Sequence, residues 1–117
     1  MNNIQKVSDI TALNVAEYLK IPAPTEDILS QMDVALIVAK DAVLVQCTQL
    51  EKEEDLDSRK VFIGAVLIEC ARYWYGDDAI GKDGENNFLN RLYKMYKNRA
   101  YPQGQNKTET AKELIDG

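Results

Sequence analysis

Apolar residues recur every three or four positions along most of this chain, in blocks separated by proline, glycine or acidic breaks. Spacing of that kind places side chains on one face of a helix. In TALNVAEYLKIPAP it predicts a short helix with Thr11 as N-cap, Val15, Tyr18 and Leu19 on one face, and Pro22 and Pro24 ending it. A second helix is predicted to start at Thr25, with Glu26 and Asp27 in the first turn, where carboxylates suit the positive end of the helix dipole. Its stripe is Ile28, Met32, Ala35, Ala39, Val43 and Cys47, widened by Leu29, Leu36 and Leu44. The pattern persists for about 24 residues, or ~36 Å.

The acidic stretch EKEEDLD, residues 51–57, reads as a solvated connection, with Asp57 or Ser58 available to cap the next segment. Residues 61–68 form a continuous, partly β-branched apolar run, for which periodicity alone leaves a buried strand open. The length of the segment, its continuation through Glu69 and Arg72, and Gly76 as a helix-ending residue favour a helix that packs on several sides. GDDAIGKDGENN is then a loop. A fourth helix comes next in FLNRLYKMYKNR, with Phe88, Leu92, Met95 and Tyr96 inward and Arg91, Lys94 and Asn98 on another face. The expected fold is all-α: a four-helix domain over residues 1–101, with a long second helix and a buried central third one. Residues 102–117 are expected to be a polar tail, flexible until assembled, with at most a helical turn near residues 111–115.

At 117 residues, 45% hydrophobic and 28% charged, the composition is that of one soluble globular domain. The apolar run 61–68 is far short of the ~20 residues that cross a bilayer. The opening MNNIQKVSDI lacks the apolar core of a secretion signal, so synthesis in the cytoplasm is expected. The chain has no histidine, which removes imidazole bases, Ser/His/Asp and Cys/His schemes and imidazole zinc sites. Cys47 and Cys70 are separated by 22 intervening residues without a CxxC pattern and read as buried thiols. Asp77, Asp78, Asp83 and Glu85 do not match the spacing of an EF-hand loop and read as solvated. No catalytic, cofactor-binding or metal-binding residue is expected.

Charge is unevenly distributed: residues 1–58 carry a net −7 and residues 59–117 a net +2. Arg91, Lys94, Lys97, Arg99 and Lys107 succeed one another between residues 86 and 107 with no acid among them. Interleaved with Tyr93, Tyr96 and Tyr101, these cations fit nucleic-acid contact, an assembly contact or a plain solvated face. Cations also suit the C-terminal end of any helix, and the acidic balance of the whole chain opposes a phosphate backbone. A further signal is Tyr73, Trp74 and Tyr75 in succession. Side chains about 100° apart cannot all face one interior. Trp74 lines up with Ile63, Leu67 and Cys70 and is expected in the core, while Tyr73 and Tyr75 lie toward the charged side, where Glu69 and Arg72 can pair at i, i+3. Tyr73, Tyr75, Arg91, Lys94, Lys97 and Tyr101 are thus the candidate interface residues.

The order of these segments resembles the small head–tail connector (head-completion adaptor) proteins of long-tailed bacteriophages and prophages. The likeness runs over residues 8–101 and rests on ITALNVAEYLKI, TEDILSQMDVALIVAKDAV, GAVLIECARYWYGD and FLNRLYKMYKNRAY. Within it, Thr11, residues 18–21 and the Trp74-Tyr75 pair match the family pattern, whereas Tyr73 stands where histidine is common and IPAP replaces an acidic turn. The resemblance implies a noncatalytic protein, about a dozen copies of which form a ring beneath the portal. Such a ring extends the DNA channel, lets DNA pass without sequence-specific binding, and docks the stopper or tail proteins. It implies location in the virion, after assembly in the host cytoplasm. The competing expectation is a small helical DNA-binding protein, a regulator or packaging subunit, using the basic fourth helix.

Overall fold

A computed structural model describes residues 3–76 and 83–97 of the chain. Helix α1, Ala12–Tyr18, starts where the sequence predicts. The Thr11 hydroxyl accepts from the Asn14 amide at 3.2 Å, and the Asn14 side chain accepts in return from the Thr11 amide at 2.9 Å. This is a capping box with Asn in the place of the usual Glu or Gln. The prolines do not end the helix, contrary to expectation. Lys20 turns left-handed at φ 60, the Ile21 amide donates to the Ala16 carbonyl at 3.0 Å, and the Lys20 amide donates to the Glu17 carbonyl at 3.1 Å. These bonds form a Schellman termination built on a lysine.

Helix α2, Glu26–Gln46, begins under a Thr25 cap whose hydroxyl accepts from the Ile28 amide at 3.2 Å. It has 21 residues, somewhat fewer than the pattern suggested. Met32, Ala35, Leu36, Ala39 and Val43 are buried on one face, and Cys47 is buried just beyond the end. The small side chains of Ala35 and Ala39 leave room for a neighbouring helix to approach.

That neighbour is α3, Val61–Tyr75, which packs chiefly against α2 while α1 covers another part of the same helix. The strand alternative for 61–68 is thereby removed. Phe62, Ala65, Val66, Leu67, Ile68, Cys70 and Ala71 are buried, so α3 is the central helix expected. Its N-cap position is Lys60, with no side-chain cap, and neither Asp57 nor Ser58 takes that role. Gly76 ends it at φ 90, a backbone conformation open to glycine, with its amide donating to the Arg72 carbonyl at 2.9 Å.

The acidic segment before α3 is a larger departure. Residues Glu53–Ser58 form a 3-10 helix, and Leu56 within it is fully buried. The Asp55 carboxylate accepts from the amides of Glu51 at 2.8 Å and Lys52 at 3.1 Å, and these bonds hold its pKa below the ordinary value. A second 3-10 turn, Val7–Asp9, uses Asp9 in the same way on the amides of Gln5 and Lys6. The two turns pack together, joined by the Ser8 amide donating to Asp57 at 2.9 Å. Local hydrogen bonds by the carboxylates thus satisfy the backbone and turn Leu56 and Val7 into the core.

Helix α4, Asp83–Tyr96, starts inside the stretch expected to be a loop, so residues 83–87 are helical. Leu89, Leu92 and Tyr93 are its buried face, with Phe88 and Tyr96 partly buried beside them. Met95, expected inward, is 65% exposed, and Tyr93, which the sequence pattern assigns to neither face, is buried. At about 100° per residue the buried centre of α4 passes through residues 89, 92 and 93, which leaves position 95 on the far side. Phe88 meets α3 at Gly64, and the Tyr96 ring lies 5.0 Å from that of Phe62. Gln49 holds the end of α4: its amide donates to the Tyr96 carbonyl at 2.9 Å and its side chain to those of Met95 and Lys97 at 3.1 Å. Those carbonyls have no partner within the helix, so a residue 48 positions away in sequence completes it.

The described residues form four α-helices and two 3-10 helices with no strand, and the all-α class is as expected. No helix among them is long and apolar enough to cross a membrane. Asp77, Asp78, Tyr101 and the polar tail at 102–117 lie outside the described residues.

Candidate assembly surface

The surface candidates divide between two places. At the C-terminal end of α3, Tyr73 is 49% and Tyr75 50% exposed, while Trp74 between them packs partly buried against the core. The orientation stems from α3 itself, whose buried face runs out along Leu67, Cys70 and Ala71 before the tyrosines are reached. Tyr75 is not wholly free for a partner. Its hydroxyl donates to the Leu19 carbonyl at 2.9 Å and ties the end of α3 to the end of α1. Tyr73 presents its ring outward.

On α4, Arg91 and Lys94 are exposed and line a shallow groove with Asn87 and Asn90; Lys97 is exposed just past the helix end. Tyr93 and Tyr96 do not interleave with them at the surface, because the first is buried and the second partly so. The outward face of α4 is therefore cationic and amide-rich, with Met95 as its apolar element. No described contact joins this face to Tyr73 or Tyr75.

Between α2, α3 and α4 runs an open groove of about 410 Å³ lined by Val45, Glu69, Arg72, Asn90 and Tyr93 among others. The Glu69 carboxylate, only 11% exposed, accepts from the Tyr93 hydroxyl and lies 3.5 Å from the Arg72 guanidinium, the i, i+3 pair the sequence predicts. Burial, and then the bond to Glu69, push the Tyr93 hydroxyl well above the usual phenol range. The acid thus joins α4 to α3 across the floor of the groove. Burial likewise raises the Cys47 thiol to about 11 and the Cys70 thiol to about 12. Both stay protonated and unreactive at neutral pH. Among the described residues no group of three or more potential ligands is placed to hold a metal ion.

No family model, curated protein or solved structure matches this chain.

A further surface lies on α2, outside the residues that the sequence pattern singles out. Val34, Ile37, Val38 and Val45 stand exposed there, Ile37 at 69%. Their signal is present in the chain as a second set of apolar positions, three, four and seven residues apart, interleaved with the main stripe. A helix apolar on two sides needs two partners, and the rest of the described chain covers one.

Proposed function

We propose that this protein is a noncatalytic structural subunit, a head–tail connector of a tailed phage or prophage. It acts by binding copies of itself and the portal, forming a ring that extends the DNA channel and carries the stopper or tail. The observation that carries the reading is the exposure of about half of Tyr73 and of Tyr75 on either side of a partly buried Trp74, in one of the segments that carry the resemblance to connectors. Tyrosine supplies large contact area at low entropy cost, and a pair of them exposed at a helix end suits a protein contact. The all-α fold with its long second helix agrees with that reading. The work is done by surfaces, so no residue is assigned a chemical step.

A second reading, a small DNA-binding protein working through α4, is favoured by the exposure of Arg91, Lys94 and Lys97. The burial of Tyr93 counts against it by removing a stacking aromatic from that face. Native mass spectrometry of the protein alone and mixed with the portal protein of the same genome separates the two. A ring or a stoichiometric complex with the portal is expected. A protein that ignores the portal and binds duplex DNA, with an affinity that falls steeply with salt and with neutralisation of Arg91 and Lys94, would overturn the connector reading.

A further inference from the structure

The outward face of α2 is apolar and acidic together. Ser30, Val34, Ile37, Asp41 and Val45 succeed one another at intervals of three and four residues down the exposed side of the helix, with Val38 alongside. Glu26, Asp27 and Asp33 are exposed nearer its N-terminus. Lys40, the sole cation of α2, lies two turns along from Asp33 on the border of this face, is partly buried and is held 3.5 Å from Glu53, which offsets its charge. From Val34 to Val45 the stripe is about 16 Å long, which is three turns of helix. Contiguous exposed apolar side chains on a small soluble protein mark a contact surface.

The complementary surface is on the same chain. The outward face of α4 presents Asn87, Asn90, Arg91, Lys94 and Met95, with Lys97 just beyond, and its described exposed positions from 86 onward include no acid. We propose that the α2 face of one copy receives the α4 face of a second copy. Val34, Ile37, Val38 and Val45 pack on Met95 and the aliphatic stems of Arg91 and Lys94, and the guanidinium and ammonium groups meet Asp33 and Asp41. Long basic side chains cover apolar surface with their stems while their heads reach a charge, which fits them to an apolar stripe with an acidic border. Two different patches of one chain meeting each other is the heterologous arrangement that a ring requires. The assignment rests on the ring reading for its occupant and on the two faces for its place.

The test uses two full-length variants, Asp33→Lys/Asp41→Lys and Arg91→Glu/Lys94→Glu, studied by sedimentation velocity at low and high salt. All four positions are exposed, so both variants should retain the wild-type helical circular dichroism. Wild-type chains are expected to associate, and less so as salt screens the charges. Each variant alone has two faces of like sign and is expected to lose association. An equimolar mixture of the two restores opposite signs where a variant face meets the matching face of the other variant, and is expected to recover association. Ile37→Asp should weaken association about tenfold or more, by removing a buried isoleucine from the contact.

Wild-type chains that stay monomeric at all concentrations would overturn the proposal, as would association indifferent to these substitutions. If residues 98–117 of the same chain were the occupant of the α2 face, every combination would remain monomeric. Rings that form regardless of the four substitutions would leave the connector reading standing and remove this contact. A closed dimer sensitive to both faces would keep the contact and remove the ring.

Discussion

Replacing Tyr93 with phenylalanine tests how α4, the carrier of the basic face, is attached. The ring keeps its place beside Leu89 and Leu92, and only the hydroxyl that donates to Glu69 is lost. Glu69 is 11% exposed and retains Arg72 at 3.5 Å, so the carboxylate is left partly satisfied and poorly hydrated. A hydrogen bond to a charged group of this kind contributes about 1.5–3 kcal/mol. The expected loss is about 2 kcal/mol, or roughly 8 °C in Tm for a domain of this size. Urea and thermal melts monitored by circular dichroism at neutral pH read it directly. The high-pH limb adds a second readout. The folded state holds Tyr93 protonated, while the unfolded chain releases that proton near pH 10. The stability from this group is therefore complete below about pH 10 and falls above it by about 1.4 kcal/mol per pH unit, a contribution that Tyr93→Phe lacks, so its alkaline slope is shallower by that amount while the raised thiols of Cys47 and Cys70 still contribute theirs. A variant within about 0.5 kcal/mol of wild type, with the same alkaline slope, would refute the anchoring role.

Other expectations attach to single positions. Leu56→Ala removes a fully buried side chain from the 3-10 turn and should cost about 2–3 kcal/mol in urea unfolding, the lower part of the usual range because a peripheral turn can partly collapse. Lys20→Gly should raise stability by about 0.5–1 kcal/mol, because the residue at φ 60 then has no Cβ to strain; an unchanged or lower Tm would contradict that account. Gly64→Ala should also stabilise by about 0.5–1 kcal/mol. A Cβ there would lie 3.6 Å from the Phe88 ring, an ordinary contact, so a loss measured in the same melts would mean the α3–α4 junction is tighter than its geometry indicates. Cys47 and Cys70 should resist alkylation in the native protein at neutral pH and react on unfolding, which mass spectrometry of pulse-labelled samples would count.

Much of the fold is written locally. Thr11 and Thr25 cap the helices the spacing predicts, Gly76 ends the third, and the stripe from Met32 to Val43 is the buried side of α2. Expectation and structure part where a polar run hides a single anchor. In EKEEDLD the acids outnumber Leu56, yet Asp55 satisfies nearby amides itself and frees the turn to carry that leucine inward. In α4, Met95 turns outward and Tyr93 inward, because the buried centre runs through residues 89, 92 and 93. Of the candidate surface, the outward Tyr73 and Tyr75 and the cations of α4 were read from the pattern, while the second apolar set of α2 is present in the chain but was masked by the stronger stripe beside it.

Periodicity, caps and glycine position determine from the sequence alone that this chain is helical, where its first two helices begin and its third ends, and that Tyr73 and Tyr75 cannot both share the interior with Trp74. These are properties of neighbours within one turn or two, for which the local backbone is sufficient. Which tyrosine of α4 reaches Glu69 and which residue closes the end of α4 were decided by tertiary packing. The competing faces are chemically alike, and the partners that choose between them, such as Gln49 for α4, lie tens of residues away along the chain.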